Sequence, residues 1–69
     1  MKDDERKLLE ELQRRAKANE RAYVREIVSE MKIPEKRAAY ICGKWTDKGW
    51  YDYGVSVLAG WLTDDGMAA

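Results

Sequence analysis

Apolar positions along the chain fall into three stretches of helical spacing, and then into a stretch that has none. Leu8, Leu9, Leu12 and Ala16 stand at i, i+1, i+4 and i+8, a narrow stripe along one side of a helix. The stripe predicts a first helix from about Asp3 to Ala18. Acids crowd its start (Asp3, Asp4, Glu5) and bases its end (Arg14, Arg15, Lys17), the arrangement a helix dipole favours. Glu10 with Arg14, and Glu11 with Arg15, are i,i+4 pairs of the favourable orientation, and Asn19 breaks the pattern. Val24, Ile27, Val28 and Met31 repeat at i, i+3, i+4 and i+7 and predict a second helix. Its start is open, because Arg21 to Val24 suits a first helical turn or a short extended segment. Lys32-Ile33-Pro34 makes a tight connection, with proline at the first position of the next helix. Ala38, Ile41, Cys42 and Trp45 give the third helix its apolar face, over about Pro34 to Lys48, and Gly49 ends it.

Beyond Gly49 the helical period disappears. Trp50-Tyr51-Asp52-Tyr53 and Gly60-Trp61-Leu62-Thr63 favour strand, and the residues between them read as the loop of a hairpin. Asp64-Asp65-Gly66 reads as a turn. The expected core is Val24, Ile27, Val28, Ile41 and Trp45, with Trp50 and Trp61 packing across the hairpin or onto the third helix. The predicted class is α+β: three helices and then a β-hairpin, a single domain over residues 1–69.

Composition narrows the function. The chain has 69 residues, and a domain of this size hides only roughly 60% of its unfolded surface. It contains no histidine and one cysteine, Cys42. A zinc site of the usual Cys/His kind and an imidazole-dependent triad are therefore excluded, and no internal disulfide can form. Cys42 lies on the apolar face of the third helix and reads as an inert core residue. Ser29 and Ser56 have no evident activating base, so no enzyme activity and no cofactor is expected. No apolar run approaches the ~20 residues of a membrane span, and no secretion leader is visible, which points to a cytoplasmic protein. Net charge is zero but unevenly spread. Residues 13–48 carry ten bases and five acids, whereas residues 49–69 carry three aspartates and no base.

The order helix, helix, three-residue turn, helix, hairpin resembles the winged helix-turn-helix family of DNA-binding domains. The resemblance is carried by Val24-Arg25-Glu26-Ile27-Val28-Ser29-Glu30-Met31-Lys32-Ile33-Pro34 and by Trp45-Thr46-Asp47-Lys48-Gly49-Trp50 at the exit into the wing. Leu62-Thr63-Asp64-Asp65-Gly66 is similar to the strand exit of MarR-type repressors. Lys32 stands where many relatives have a glycine, and Val28 where a smaller residue is common. MarR-type proteins continue into a long dimerisation helix, and the chain ends at Ala69.

That family implies double-stranded DNA as partner, with the third helix in the major groove. Lys36, Arg37, Tyr40 and Lys44 form a stripe on that helix, centred about 135° round from its apolar face. Arg37 and Lys36 are expected to donate to guanine edges or phosphates, and Tyr40 to meet a phosphate or a thymine methyl. Arg21 and Arg25, at the start of the second helix, either face phosphate or form surface ion pairs with Glu26 or Glu30. Gly43 and Ala39 flank the stripe. Glycine inside a helix costs about 1 kcal/mol relative to alanine, so either a DNA backbone or a neighbouring helix approaches closely there. The wing carries no base, and its Val55, Val57 and Leu58 suit a protein contact or a homodimer seam. Two readings result: a small transcriptional regulator that binds DNA in a sequence-directed way, or a winged-helix protein–protein interaction module using the apolar wing and aromatic residues. A third is stacking of single-stranded nucleic acid on Tyr51 and Tyr53.

Overall fold

The computed structural model describes residues 1–20 and 22–69. Three helices come first, α1 (Asp3–Lys17), α2 (Val24–Glu30) and α3 (Glu35–Asp47). Two short strands come next, β1 (Tyr51–Asp52) and β2 (Trp61–Leu62), with a 3-10 turn at Val57–Ala59 between them and a short helix α4 (Asp64–Ala68) after them. The strands pair antiparallel, Tyr51 opposite Leu62 and Asp52 opposite Trp61. The molecule is thus an α+β unit of helices and one antiparallel hairpin. No helix among the described residues is long and apolar enough to cross a membrane.

The first three helices stop in the same way. After each, one residue turns left-handed: Asn19 (φ 56), Lys32 (φ 60) and Gly49 (φ 79). The amide beyond it reaches back to the carbonyl five residues earlier, Glu20 to Arg15 (2.9 Å), Ile33 to Val28 (2.9 Å) and Trp50 to Trp45 (2.9 Å). The left-handed residue's own amide bonds three residues back, to Ala16, Ser29 and Thr46. This double bond satisfies carbonyls that a helix end otherwise leaves open. Asparagine and glycine adopt that conformation readily, whereas lysine does so against the steric preference of its Cβ. The open question at the start of α2 is settled from Tyr23 onward: Tyr23 is extended (φ −69°, ψ 145°) and the helix begins at Val24. Pro34 stands just outside α3 rather than at its first position.

Leu8, Leu9 and Leu12 of α1, Val24, Ile27 and Val28 of α2, and Ala38, Ile41, Cys42 and Trp45 of α3 enclose one core with Tyr51 and Leu58. All five residues expected at its centre are buried. Ala16, the last member of the α1 stripe, is exposed, because the stripe is used only as far as Leu12. Met31, Ile33, Trp50, Val57 and Leu62 pack against the margin of the core.

A two-residue ladder cannot hold a hairpin by itself. Tyr51 holds this one. Its buried hydroxyl donates to the Val57 carbonyl (2.7 Å) and accepts from the Gly60 amide (3.0 Å), fixing both ends of the 3-10 turn. Its ring meets Trp45 of α3 edge-on, with centroids 6.4 Å apart. The stacking role considered for Tyr51 is therefore ruled out by burial and by a hydroxyl committed internally; Tyr53 alone of that pair is exposed. Trp61 is also not core. It lies opposite Asp52 on the outer face of the hairpin and is 55% exposed. Of the three apolar residues expected to form a protein contact, Val55 is fully exposed, Val57 is half-buried and Leu58 belongs to the core.

The segment read as a turn at Asp64 is helical. Thr63 caps it: the hydroxyl accepts from the Gly66 amide (3.1 Å) and donates to the Gly49 carbonyl (2.6 Å). Asp64 and Asp65 fill the first turn. Gly66 packs so closely on the Trp50 carbonyl that a side chain there would collide with backbone. Gln13 of α1 donates its amide to the carbonyls of Gly66 (3.0 Å) and Ala69 (3.0 Å), tying the end of the chain to the first helix.

Candidate nucleic-acid interface

Once Ala38, Ile41, Cys42 and Trp45 turn inward, the helical period leaves Lys36, Tyr40, Gly43 and Asp47 on the opposite side of α3. Lys36 is exposed and makes no ion pair among the described residues. Tyr40 is 60% exposed. Gly43 and Tyr40 line a shallow depression with Lys44, Thr46, Asp47 and, across from the helix, Tyr53 of the hairpin. α3 and the residue after β1 thus border one surface.

Gly43 decides between the two readings of a helix-interior glycine. Among the described residues, no side-chain or backbone atom from elsewhere lies within 4 Å of where a Cβ would stand. Its backbone is helical and not among the positive-φ residues. Close packing against α1 or α2 is therefore not the reason for this glycine. The open space faces solvent.

Arg37 and Lys44 border this face on the side of α1. Asp4 receives two bonds from Arg37, at Nε (2.8 Å) and Nη2 (3.0 Å). Glu5 accepts from Nη2 of Arg37 (3.2 Å) and from Nζ of Lys44 (3.0 Å). Glu5 is 3% exposed, a carboxylate at the edge of the core whose partners are both cations. The hydrogen bond from Arg37 holds the Asp4 carboxyl down at about 2. Burial pushes the Glu5 carboxyl up, but Lys44 and Arg37 together outweigh it and its net displacement is downward. Arg37 is in turn raised by Asp4. Both cations also lie beside the Tyr40 ring, Arg37 at 5.7 Å and Lys44 at 5.8 Å from its centroid. Lys48 sits over Trp50 at 4.6 Å.

The six residues singled out from the sequence therefore divide. Lys36 is exposed and without an ion pair among the described residues, and Tyr40 is largely exposed with Arg37 and Lys44 beside its ring. Arg37 and Lys44 are on the expected flank but are held by acids of α1. Arg25 is exposed and paired with Glu35 of α3 (2.6 Å), not with Glu26 or Glu30. Arg21 lies outside the described residues. At the end of α1, Arg14 pairs with Glu11 and Glu20 rather than Glu10, and Arg15 bridges Glu11 and Glu30.

The sequence reading missed the part played by Asp4 and Glu5, and it named Tyr53 only for stacking, not as a neighbour of α3. Glu5 had a signal: with Leu8, Leu9 and Leu12 it completes the i, i+3, i+4, i+7 set, so the α1 stripe begins on an acid. A second concave region lies elsewhere, between the end of α1, the start of α2 and β2. It is a groove of about 560 Å³ floored by Leu12, Val24, Ile27 and Leu62, with Tyr23 and Trp61 exposed at its rim. Among the described residues no group of three or more Cys, Asp or Glu side chains is placed to hold a metal ion. Cys42 is buried and unpaired, with burial pushing its thiol up to about 11. No family model, curated protein or solved structure matches this chain.

Proposed function

We propose that this chain is a winged helix-turn-helix protein that binds double-stranded DNA, with α3 entering the major groove and the hairpin alongside as the wing. The observation that carries the reading is Gly43. A glycine inside a helix sacrifices about 1 kcal/mol relative to alanine, and none of the described residues packs within 4 Å of the missing Cβ. A surface that approaches the α3 backbone closely accounts for the choice; Tyr40, Lys44 and Tyr53 border the gap, and Lys36 is exposed two turns earlier on the same side of α3. Helix in groove is a geometry in which the recognition helix comes close to a large, rigid neighbour.

Substituting alanine at position 43 separates this reading from a purely structural one. Gly43→Ala should raise the stability of the protein by up to about 1 kcal/mol through helix propensity. The same substitution should weaken binding to a labelled duplex pool, measured by fluorescence anisotropy at low salt. Lys36→Ala should weaken it as well, while Val57→Ala should leave it unchanged. Few phosphates can be neutralised per chain, so the log–log salt slope should be shallow, roughly −2 to −4. Duplex binding equal in Gly43→Ala and wild type would remove the reason for the assignment.

One observation favours the second reading, a protein-interaction module. Trp61 and Tyr23 stand exposed at the rim of a groove with an apolar floor and charged walls (Arg15, Glu20, Glu26), to which α3 contributes no lining residue. Tryptophan and tyrosine are the side chains that interface centres select. Under that reading Trp61→Ala abolishes self-association or partner capture in sedimentation, whereas Gly43→Ala and Lys36→Ala have no effect on it.

A further inference from the structure

Arg37 has five N–H donors, arranged as two forks: Nε with Nη2 along one edge, Nη1 with Nη2 across the tip. Reading a guanine needs one complete fork, because O6 and N7 are engaged together. Asp4 fills the edge fork with both carboxylate oxygens. Glu5 takes the remaining hydrogen of Nη2. With Nη2 spent twice, neither fork is free, and only Nη1 is left for a ligand. Lys44, bound to the same Glu5 oxygen, keeps two of its three donors.

We infer that the first turn of α1 is an internal anion that competes with nucleic acid for Arg37, so that Asp4 sets both the affinity and the contact type of the α3 face. This rests on the DNA-binding reading given above and assigns its regulation. With Asp4 in place, Arg37 offers one phosphate a single-point contact from Nη1 and does not read a base. With Asp4 neutralised, the Nε/Nη2 edge opens to a phosphate or a guanine as a two-point contact. Asp4 is the member of the pair able to yield: its side chain is 38% exposed, while Glu5 is 3% exposed and stays with Lys44. Solvent can therefore replace Asp4 without opening the core.

The test uses the full chain and a labelled random-sequence duplex of about 20 base pairs, titrated from low to moderate salt. Asp4→Asn keeps the shape and removes the charge. Asp3→Asn makes the same charge change one residue away, on an exposed acid with no ion pair among the described residues. With Asp4 uncharged, the Arg37 charge is no longer balanced on that edge and counts toward neutralising a phosphate, which steepens the slope by about 0.9 and amounts to about eightfold in affinity at roughly 0.1 M salt. Asp4→Asn should approach that gain, Asp3→Asn should fall well short of it, and the double variant Asp4→Asn/Arg37→Ala should lose it. Equal effects of the two single substitutions would reduce the acid to long-range repulsion and overturn the inference, as would a gain that survives without Arg37. If the wild type binds duplex and Asp4→Asn changes nothing, the inference fails and the DNA reading stands. If no variant binds duplex at any salt, both fail together.

Discussion

Lys32→Gly should stabilise this protein, although it removes a side chain and replaces it with nothing. Lys32 occupies the left-handed position that closes α2, at φ 60. Its amide donates to Ser29 (3.1 Å) and the next amide, Ile33, to Val28 (2.9 Å); both are backbone bonds that glycine keeps. The lysine side chain is exposed and makes no ion pair among the described residues, so little is lost with it. A Cβ in the left-handed region costs about 1–2 kcal/mol. Against this, glycine loses about 0.4–1 kcal/mol more chain entropy on folding. The balance is a gain of about 0.5–1 kcal/mol. For a domain of this size each kcal/mol moves the melting temperature by about 4–8 °C, so a rise of roughly 2–8 °C is expected. Thermal melts monitored by circular dichroism read this directly, with Lys32→Ala as the control that removes the charge and keeps the Cβ. A neutral or destabilising Lys32→Gly would refute the strain argument. An equal gain from Lys32→Ala would assign the effect to charge instead.

Ile27→Ala, at the centre of the core, should cost about 2–5 kcal/mol in urea unfolding; an unchanged midpoint would contradict the packing described. Gly66→Ala should destabilise far more than an exposed glycine substitution such as Gly54→Ala, because its side chain meets the Trp50 carbonyl whereas position 54 is open. Melts of the two variants side by side check this. Acid should weaken the fold in a defined window. Asp4 is held down to about 2, and Glu5 and Glu11 are also lowered. A depressed carboxyl stabilises the folded state above its unfolded value near 4 and loses that contribution as pH falls through the folded value. The melting temperature should therefore decline between about pH 4 and pH 2, and Arg37→Ala should flatten the lower part of the curve.

Much of the scaffold was legible because it is local. The periods of α1, α2 and α3, with Asn19 and Gly49 as stops, arise from neighbours three and four residues apart. The features that escaped were decided by distant contacts. Trp61 reads as core on hydrophobicity, yet a two-residue strand has no alternation to orient it, and its pairing with Asp52 turns it outward. α4 is short enough to pass for a turn; only the Thr63 cap, with two acids directly after it, marked it as helix. The stripe of Lys36, Arg37, Tyr40 and Lys44 was visible on α3, but a helical wheel shows nothing of the neighbours that pack beside it. Asp4 and Glu5 reach Arg37 from more than thirty residues upstream, and that contact changes which of the four side chains are free.

The phenol of Tyr51 has a consequence for how the molecule moves. Because its hydroxyl grips both ends of the 3-10 turn and its ring abuts Trp45, the hairpin cannot peel away without breaking the core of α3. The amide of Gly60 should therefore exchange with solvent deuterium only through the same opening that frees the α3 amides, as part of one cooperative unit. The loop tip at Val55, which touches nothing, is exempt. A ligand that spans Tyr40 and Tyr53 then meets two elements whose spacing is set in advance, and little ordering entropy is left to be lost when it docks.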